Sequence, residues 1–130
     1  MKILGIGVDI IQNNRIKNSI KNHKFRDRIY SKNELKLSTS SKNKIGYFSK
    51  RFAAKEAFAK ALGTGFRNNL NFKDIEIMND KFGKPYYSKT KKITQLIRKE
   101  FKVKNFKCFL SISDEKEYST AFTIIQSTWN

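Results

Sequence analysis

Two carboxylates and a lysine occupy sequence contexts that suit chemistry on a phosphate. Asp9 follows two glycines in GIGVD, and Glu56 lies four residues before Lys60 in the stretch RFAAKEAFAKALGTG. Mg²⁺ is typically bound by one or two protein carboxylates and completes its coordination with water and phosphate oxygens. A lysine one helical turn from such a carboxylate can contact the same phosphate. Together the three residues indicate a site for a divalent cation and a phosphate.

Each of these residues also has a simpler interpretation. Glu56 and Lys60 form a surface ion pair if the helix is merely solvated there, and such a pair contributes roughly a few tenths of a kcal/mol. Asp9 at the end of a strand can cap the next helix. A glycine such as Gly63 is the usual way to end a helix. The phosphate-site hypothesis therefore depends on the combination and not on any single residue.

A strand must position the first carboxylate. Residues 2–8 alternate with a period of two, which predicts a strand with Gly5, Gly7 and Asp9 on one face. The two glycines leave space beside Asp9 for another group to approach closely. The opposite face is expected to carry Leu4, Ile6 and Val8.

A helix must position the second carboxylate and the lysine. It is predicted over about residues 46–62 and ends at the segment Gly63-Thr64-Gly65. Its spacing of four places Phe52, Glu56 and Lys60 on one face. The glycines after the helix allow the backbone to approach a ligand. A second face is expected to pack inward through Ala54, Phe58, Ala61 and Leu62.

The rest of the chain predicts an α+β fold. Ser31 and Glu34 form a capping box that opens a short helix, and the polar residues 38–45 form a loop. The other predicted elements are a helix over about 11–29, a strand over 75–79, a turn and another strand in DKFGKPYY, a helix over 90–101, and closing strands in FKCFLSIS and YSTAFTII joined by DEKE. This pattern indicates one domain over residues 1–130, with an antiparallel sheet packed against helices.

The chain is strongly basic, with a formal net charge of +17 at pH 7. Such an excess favours a polyanionic partner or an acidic protein, and a small basic nucleic-acid-binding domain is the alternative interpretation. That alternative leaves Asp9 and Glu56 unexplained, because carboxylates that face a phosphate backbone without a metal are unfavourable. The basic residues are 22 lysines and 6 arginines. A lysine bias of this kind can also arise from genome composition alone, so charge does not decide the function.

Cysteine content and hydropathy bear on location. Cys108 is the only cysteine in the sequence, which excludes an internal disulfide, and it is expected to be a buried strand residue. The N-terminal apolar run is interrupted by Asp9 and lacks a small-residue cleavage site. No apolar run approaches transmembrane length. A cytoplasmic protein without membrane contact is therefore expected.

Two long motifs resemble those of the holo-acyl-carrier-protein synthase family of the 4′-phosphopantetheinyl transferase superfamily. GIGVDIIQNNRI is similar to the family pattern G-[IV]-G-[IVL]-D-[IL]-x4-R, and RFAAKEAFAKALGTG is similar to F-[AS]-x-K-E-A-x-x-K-A-x-G-T-G. The segment FKDIEIMNDKFGKPYY also matches the family's segment before a G-[KR]-P turn. The resemblance extends over nearly the whole chain, with the motifs in the family's order.

The resemblance implies an enzyme that transfers the 4′-phosphopantetheine arm of coenzyme A to a serine of apo acyl carrier protein. Adenosine 3′,5′-bisphosphate is the implied second product, and fatty acid biosynthesis is the implied pathway. Asp9 and Glu56 match the carboxylates that hold Mg²⁺ against the pyrophosphate, and Lys60 matches the lysine that reaches the phosphate under attack. Glu56, acting directly or through a metal-bound water, is the expected acceptor of the serine proton. Whether Lys60 also donates a proton stays open.

The resemblance also implies where coenzyme A binds. Gly63, Thr64 and Gly65 match the loop that lies along the coenzyme. Arg51 and Lys55 flank the site on the helix, and Arg51 suits a phosphate contact, with a solvated basic face as the alternative. The implied coenzyme-binding set is Arg51, Lys60, Gly63, Thr64, Gly65 and Pro85.

Basic residues on the first predicted helix are implied to bind the acidic carrier protein. Arg15 matches a family arginine on the carrier-binding helix, and a basic helix with one exposed aromatic residue suits fast, salt-sensitive docking. Bacterial members of the family are homotrimers with active sites shared between neighbouring subunits, which implies the same assembly here. The alternative is the larger type of transferase, with two copies of the fold in one chain of about twice the length. The implied carrier-binding set is Arg15, Lys21, Lys24, Phe25 and Arg28.

One position departs from the family pattern. The family commonly has V-S-[IL]-[ST]-H near the last hairpin, whereas this chain has LSISDE, so that Asp114 stands in place of the histidine. An aspartate repels a nearby phosphate unless it points away or accepts a hydrogen bond from a hydroxyl. The one histidine, His23, lies on the first predicted helix and is expected to be a surface or carrier-facing residue. The motif therefore supplies no histidine general base.

Overall fold

The computed structural model describes residues 1–67 and 69–129, and these residues form five strands in two antiparallel sheets. The larger sheet consists of β1 (Lys2–Gln12), β5 (Tyr118–Ser127) and β4 (Phe106–Asp114), in that spatial order. The smaller sheet pairs β2 (Ile77–Asn79) with β3 (Pro85–Tyr87). The predicted α+β class with an antiparallel sheet is confirmed.

Within the described residues, five helices accompany the two sheets. They are α1 (Asn13–Ser19), α2 (His23–Ile29), α3 (Lys32–Ser38), α4 (Lys44–Leu62) and α5 (Lys91–Phe101), with a 3₁₀ turn over Phe72–Asp74. Helix α4 packs on β1 and β5 and is the central element. It begins after Asn43, whose side chain accepts the Gly46 N–H at 3.0 Å, and it ends at Gly63. None of the helices within the described ranges has the length and apolar character needed to cross a membrane.

Two glycines let strand β1 lie directly on the backbone of helix α4. A Cβ built on Gly5 would lie 1.8 Å from the carbonyl oxygen of Ala61, and one built on Gly7 would lie 1.9 Å from that of Ala57. Any larger side chain would push the strand away from the helix. The space predicted beside these glycines is therefore filled by the helix. Asp9, two residues further along β1, is held close to α4 as a result.

Strand β1 is longer than predicted and irregular near its start. It continues to Gln12, because it pairs with β5 over that whole length, whereas the alternation predicts an end at residue 8. A register shift near its start turns Leu4 toward the core. The prediction that Leu4 shares a face with Ile6 and Val8 is therefore wrong, since Ile6 and Val8 are exposed.

The single helix predicted over residues 11–29 is also wrong. Residues up to Gln12 belong to β1, and the helical part is divided into α1 and α2. The Asn22 side chain caps α2 by accepting the N–H of Lys24 at 2.9 Å and that of Phe25 at 3.4 Å. Apolar periodicity continues on both sides of this cap, so periodicity alone does not reveal the break.

Capping signals elsewhere in the chain are confirmed. The Ser31 hydroxyl oxygen accepts the Glu34 N–H at 3.1 Å, and Glu34 Oε1 accepts the Ser31 N–H at 2.9 Å, which together form the predicted capping box. The helix predicted over 90–101 is α5. Both elements depend on neighbours within a few residues, which sequence patterns report directly.

Other predicted elements differ only in their bounds. The loop predicted over 38–45 begins after Ser38 and is shorter, and the strand predicted over 75–79 is shortened to β2. The two closing strands are confirmed as β4 and β5. Cys108 is half-buried in β4, where burial raises the pKa of its thiol to about 12. Such a thiol is a structural residue and not a nucleophile.

A buried ion pair joins α3, α4 and the smaller sheet. Lys55 Nζ donates to Glu34 Oε1 at 2.7 Å, and both side chains are 0% exposed. Lys55 also donates to the carbonyl oxygens of Phe72, at 3.1 Å, and Ile75, while Glu34 Oε2 accepts the Ile77 N–H at 2.9 Å. Burial lowers the pKa of Lys55, and the Glu34 carboxylate opposes that effect. Lys55 therefore points into the core, and the expectation that it flanks the coenzyme site is wrong.

Candidate active site

Strand β1 and helix α4 bring an aspartate and a lysine together. Lys60 Nζ donates to Asp9 Oδ1 at 3.1 Å and to the Val8 carbonyl oxygen at 3.0 Å. The Lys60 side chain is 55% exposed and that of Asp9 is 15% exposed, so the pair lies at the surface with the carboxylate recessed. These residues are 51 positions apart in the sequence, and the close approach of β1 to α4 joins them.

Glu56 lies one turn before Lys60 on α4 and is half-buried. Burial raises the pKa of the Glu56 carboxyl, the Asp9 charge raises it further, and the Lys60 ammonium lowers it. The two carboxylates therefore repel each other, with one ammonium beside them. Lys60 is ion-paired with Asp9 and not with Glu56, so the interpretation as a simple Glu56–Lys60 surface pair does not hold. Asp9, Glu56 and Lys60 form one cluster.

This cluster fits a hard divalent cation. The described residues contain no group of three or more histidine, cysteine, aspartate or glutamate side chains that could hold a metal on their own. Mg²⁺ does not need such a group, since one or two carboxylates suffice when water and phosphate oxygens complete the coordination. The donor set is poor for Zn²⁺, which favours histidine and cysteine ligands. Asp9 and Glu56, with their mutual repulsion, suit Mg²⁺ in the presence of a phosphate ligand.

The predicted glycine loop follows directly after this cluster. Gly63 and Gly65 both have positive φ, at 88° and 63°, and the Gly65 N–H donates to the Ala59 carbonyl oxygen at 3.2 Å. These dihedrals favour glycine, because a Cβ is strained there. A Cβ built on either glycine would meet no atom of the described residues within 4 Å. The loop thus presents open space beside Lys60, which suits a backbone surface along which a ligand lies.

Arg51 lines a separate cavity of about 270 Å³. Its side chain is 5% exposed, its Nη2 donates to Asn79 Oδ1 at 2.6 Å, and its guanidinium lies 3.7 Å from the Tyr47 ring centroid. Burial lowers the pKa of Arg51, and the neighbouring Tyr47 opposes that effect. Its Nε is buried without a hydrogen-bond partner among the described residues. Arg51 is therefore a positioned donor at a cavity, and the solvated-face alternative is wrong.

The same cavity contains residues that the sequence interpretation missed and one that it singled out. Pro85, a predicted coenzyme-binding residue, lines it, and so does Asp114, which is exposed at the end of β4. Asp114 therefore places a negative charge at a cavity that also holds basic side chains. The lining residues that the sequence interpretation missed include Tyr47, Lys50 and Asn79. Tyr47 and Lys50 could have been predicted, because they lie on α4 within about one helical turn of Arg51.

The predicted site residues therefore fall into two groups within one chain. Asp9, Glu56 and Lys60 form the first group, next to the glycine loop. The second group is the cavity with Arg51 and Pro85, and no residue of the first group lines that cavity. The side chains of Arg51 and Glu56 leave α4 in different directions, because five residues correspond to about 140° of helical rotation.

The predicted carrier-binding residues lie on α1 and α2 and in the turn between them. Arg15, Lys21, Lys24 and Arg28 are exposed. Phe25 is half-buried and stacks on Phe52 of α4 at a centroid distance of 6.4 Å, so the expectation of an exposed aromatic residue holds only in part. His23 is exposed and lies 3.2 Å from Asp27, which confirms it as a surface residue.

Comparison with known proteins identifies the family. A model of the 4′-phosphopantetheinyl transferase superfamily matches residues 5–123, and the chain therefore belongs to this superfamily and is a transferase. A holo-[acyl-carrier-protein] synthase of Pelagibacter ubique is 58% identical over 126 residues, which cover 97% of this chain and 98% of that protein.

Solved structures agree with this assignment. The crystal structure of a holo-[acyl-carrier-protein] synthase from Neisseria meningitidis matches with a TM-score of 0.86 and 36% identity, covering 96% of this chain and 99% of that chain. A holo-(acyl-carrier-protein) synthase from Bacillus anthracis in complex with CoA (3′,5′-ADP) matches with a TM-score of 0.81 and 35% identity, covering 98% and 100%. The predicted family, enzyme class and fold class are confirmed. The roles of individual residues stay predictions.

Proposed function

We propose that this protein is a holo-[acyl-carrier-protein] synthase. It transfers the 4′-phosphopantetheine group from coenzyme A to a serine of apo acyl carrier protein in an Mg²⁺-dependent reaction that releases adenosine 3′,5′-bisphosphate and supports fatty acid biosynthesis. The observation that carries this proposal is the cluster in which Lys60 Nζ lies 3.1 Å from Asp9 Oδ1, with Glu56 one turn away. The relatives described above support the choice of substrates. A cytoplasmic location remains a prediction.

The cluster divides the chemical work among three side chains. Mg²⁺, when bound by Asp9 and Glu56, supplies neutralising charge at the pyrophosphate of coenzyme A. Lys60 is exposed beside them, so its ammonium contacts the phosphate under attack and stabilises the charge that develops toward the leaving group. Glu56 accepts the proton of the carrier serine, directly or through water.

A mass measurement tests this reaction directly. The protein is incubated with apo acyl carrier protein, coenzyme A and Mg²⁺, and the carrier is expected to gain the mass of one phosphopantetheine group. A carrier with its acceptor serine replaced by alanine is the control and gains nothing. An unchanged carrier, under conditions in which the protein binds coenzyme A, would refute the proposed reaction.

Lys60→Ala is expected to lower turnover roughly 10²–10³-fold, the usual scale for the loss of one charge-stabilising donor. Binding of coenzyme A should weaken much less, because Mg²⁺ and the other phosphate contacts remain. Turnover and the coenzyme A dissociation constant are measured for this variant and for Lys36→Ala, a matched change at an exposed lysine on α3. Unchanged turnover in Lys60→Ala would show that Lys60 only forms a surface ion pair with Asp9 and has no role in the reaction.

We further propose that the protein assembles as a homotrimer. The face of the larger sheet that points away from α4 carries large apolar side chains, although it is exposed in a single chain. An exposed apolar patch of this kind is typical of a protein interface. A second copy of the chain is the proposed occupant, and light scattering should give a mass near three chains. The patch includes Ile6 (58% exposed), Val8 (55%), Ile10 (64%), Phe109 (43%) and Phe122 (41%).

Assembly would also explain why the predicted coenzyme-binding residues lie in two groups. We propose that the glycine loop and the Asp9 cluster of one subunit face the Arg51 and Pro85 cavity of its neighbour across one bound coenzyme A. Arg51, with its unpaired Nε, then donates to a part of the coenzyme remote from the pyrophosphate. Each subunit alone would hold two incomplete halves.

Mixing two inactive variants tests the shared site. Asp9→Asn and Arg51→Ala are unfolded, combined in equal amounts and refolded together. Random assembly leaves about one interface in four with both halves intact, so partial activity should return. The control mixture of Asp9→Asn with Glu56→Gln disables the same half twice and should stay inactive. Failure of the first mixture to recover activity, with assembly intact, would place the whole site within one subunit.

Charge reversal on the first two helices tests the carrier surface. Arg15→Glu or Lys21→Glu is expected to raise the apparent KM for carrier protein and to flatten its salt dependence, since exposed charge complementarity acts mainly on encounter. The KM for coenzyme A should hardly change. Kinetics are measured against each substrate at two salt concentrations, with Lys36→Glu on α3 as the matched control. A loss of coenzyme A affinity without a loss of carrier affinity would assign these residues to the coenzyme site.

A further inference from the structure

The ammonium group of Lys60 occupies the position at Asp9 where a cation is expected. It donates to Asp9 Oδ1 at 3.1 Å and to the Val8 carbonyl oxygen at 3.0 Å. We propose that Lys60 and the divalent cation compete for Asp9, so that Lys60 makes loading of the cation depend on bound coenzyme A. This inference rests on the proposed function, and it assigns Lys60 a role before the reaction in addition to its role during it.

Lys60 is free to move and Asp9 is not. The Lys60 side chain is 55% exposed on a flexible stem, whereas that of Asp9 is 15% exposed. Strand pairing with Ala121 and a hydrogen bond from the Thr120 hydroxyl to the Asp9 carbonyl oxygen, at 2.8 Å, hold the Asp9 backbone. A cation that arrives at Asp9 can therefore displace the ammonium, while the carboxylate stays in place.

The charges of the cluster explain why loading should depend on the coenzyme. With Asp9, Glu56 and Lys60 ionised, the cluster carries one net negative charge, and a divalent cation converts it to one net positive charge. The negative charge of a pyrophosphate then offsets this positive charge, and its oxygens give the displaced ammonium of Lys60 a new partner. Cation and coenzyme therefore favour each other's binding, and this coupling is reciprocal. Without the coenzyme, Lys60 only repels the cation.

Mn²⁺ is a suitable probe, because its free concentration is measured by electron paramagnetic resonance. The loss of the free-ion signal gives the amount bound, and no turnover is needed. The Lys60→Met protein, without substrates, is expected to bind Mn²⁺ about tenfold more tightly than the parent, the scale of one unit charge acting on a divalent ion at about 5 Å in water. Lys60→Arg keeps the charge and should bind as weakly as the parent. With coenzyme A present and no carrier, the advantage of Lys60→Met should shrink or reverse.

Two controls separate this inference from the proposed function. Lys36→Met changes the net charge equally at an exposed lysine on α3 and should leave Mn²⁺ binding unchanged. Asp9→Asn should abolish Mn²⁺ binding both in the parent and in the Lys60→Met protein. Equal Mn²⁺ affinity of Lys60→Met and the parent, or an equal gain in Lys36→Met, would overturn the competition while leaving the metal assignment intact. Undiminished Mn²⁺ binding by Asp9→Asn would overturn the metal assignment and, with it, the competition.

Discussion

Asp9→Ala and Glu56→Ala are each expected to abolish transfer while the protein stays folded. Each change removes one of the two carboxylates proposed to bind Mg²⁺, which relies on very few protein ligands. Folding should persist because burial raises the pKa of Glu56 and the Asp9 charge raises it further, so the ionised Glu56 is not favoured by its surroundings. The ion pair of Asp9 with Lys60 lies at the surface and contributes little stability. Carrier modification is measured by mass spectrometry and folding by thermal unfolding.

The matched control for this experiment is Glu117→Ala, which removes an exposed carboxylate from the turn between β4 and β5. Its activity should equal that of the parent. Chelation should stop the reaction in the parent, and added Mg²⁺ should restore it. Full activity of Asp9→Ala at low Mg²⁺ concentration would refute the role of this carboxylate as a metal ligand.

Lys55→Met is expected to destabilise the protein by about 3–5 kcal/mol, the usual cost of removing one partner of a buried ion pair. The Glu34 carboxylate, which is 0% exposed, would lose the ammonium group to which it is paired. The carbonyl oxygens of Phe72 and Ile75 would also lose a donor that lies inside the core. The free energy of unfolding is measured by urea titration.

The double variant Lys55→Met with Glu34→Gln distinguishes an unpaired charge from lost packing. Glutamine is neutral, and its one carbonyl oxygen can accept either the Ile77 N–H or the Ser31 N–H, each of which Glu34 accepts at 2.9 Å. Part of the lost stability should therefore return. Lys36→Met, at an exposed lysine, serves as the control and should change stability by less than about 0.5 kcal/mol. A similarly small change in Lys55→Met would show that the buried ion pair is dispensable.

The sequence by itself determined the elements whose signals are local. Glu34 three residues after Ser31 predicts the capping box, and glycine at position 63 predicts the end of α4, where φ is 88°. These features depend on groups within one helical turn. The candidate metal cluster was also predictable as a set, since Asp9 and Glu56 lie in two recognisable motifs. Their packing against each other was not, because it depends on β1 lying on α4.

Only the tertiary structure decided what three of the basic residues of α4 do. Lys60 pairs with Asp9, Lys55 pairs with buried Glu34, and Arg51 donates to Asn79 at a cavity. The partners are 51, 21 and 28 positions away in the sequence, so no local pattern reports them. A charged side chain loses hydration when it is buried and is stable there only beside a partner. Those partners exist only after β1, α3 and β2 have packed around α4.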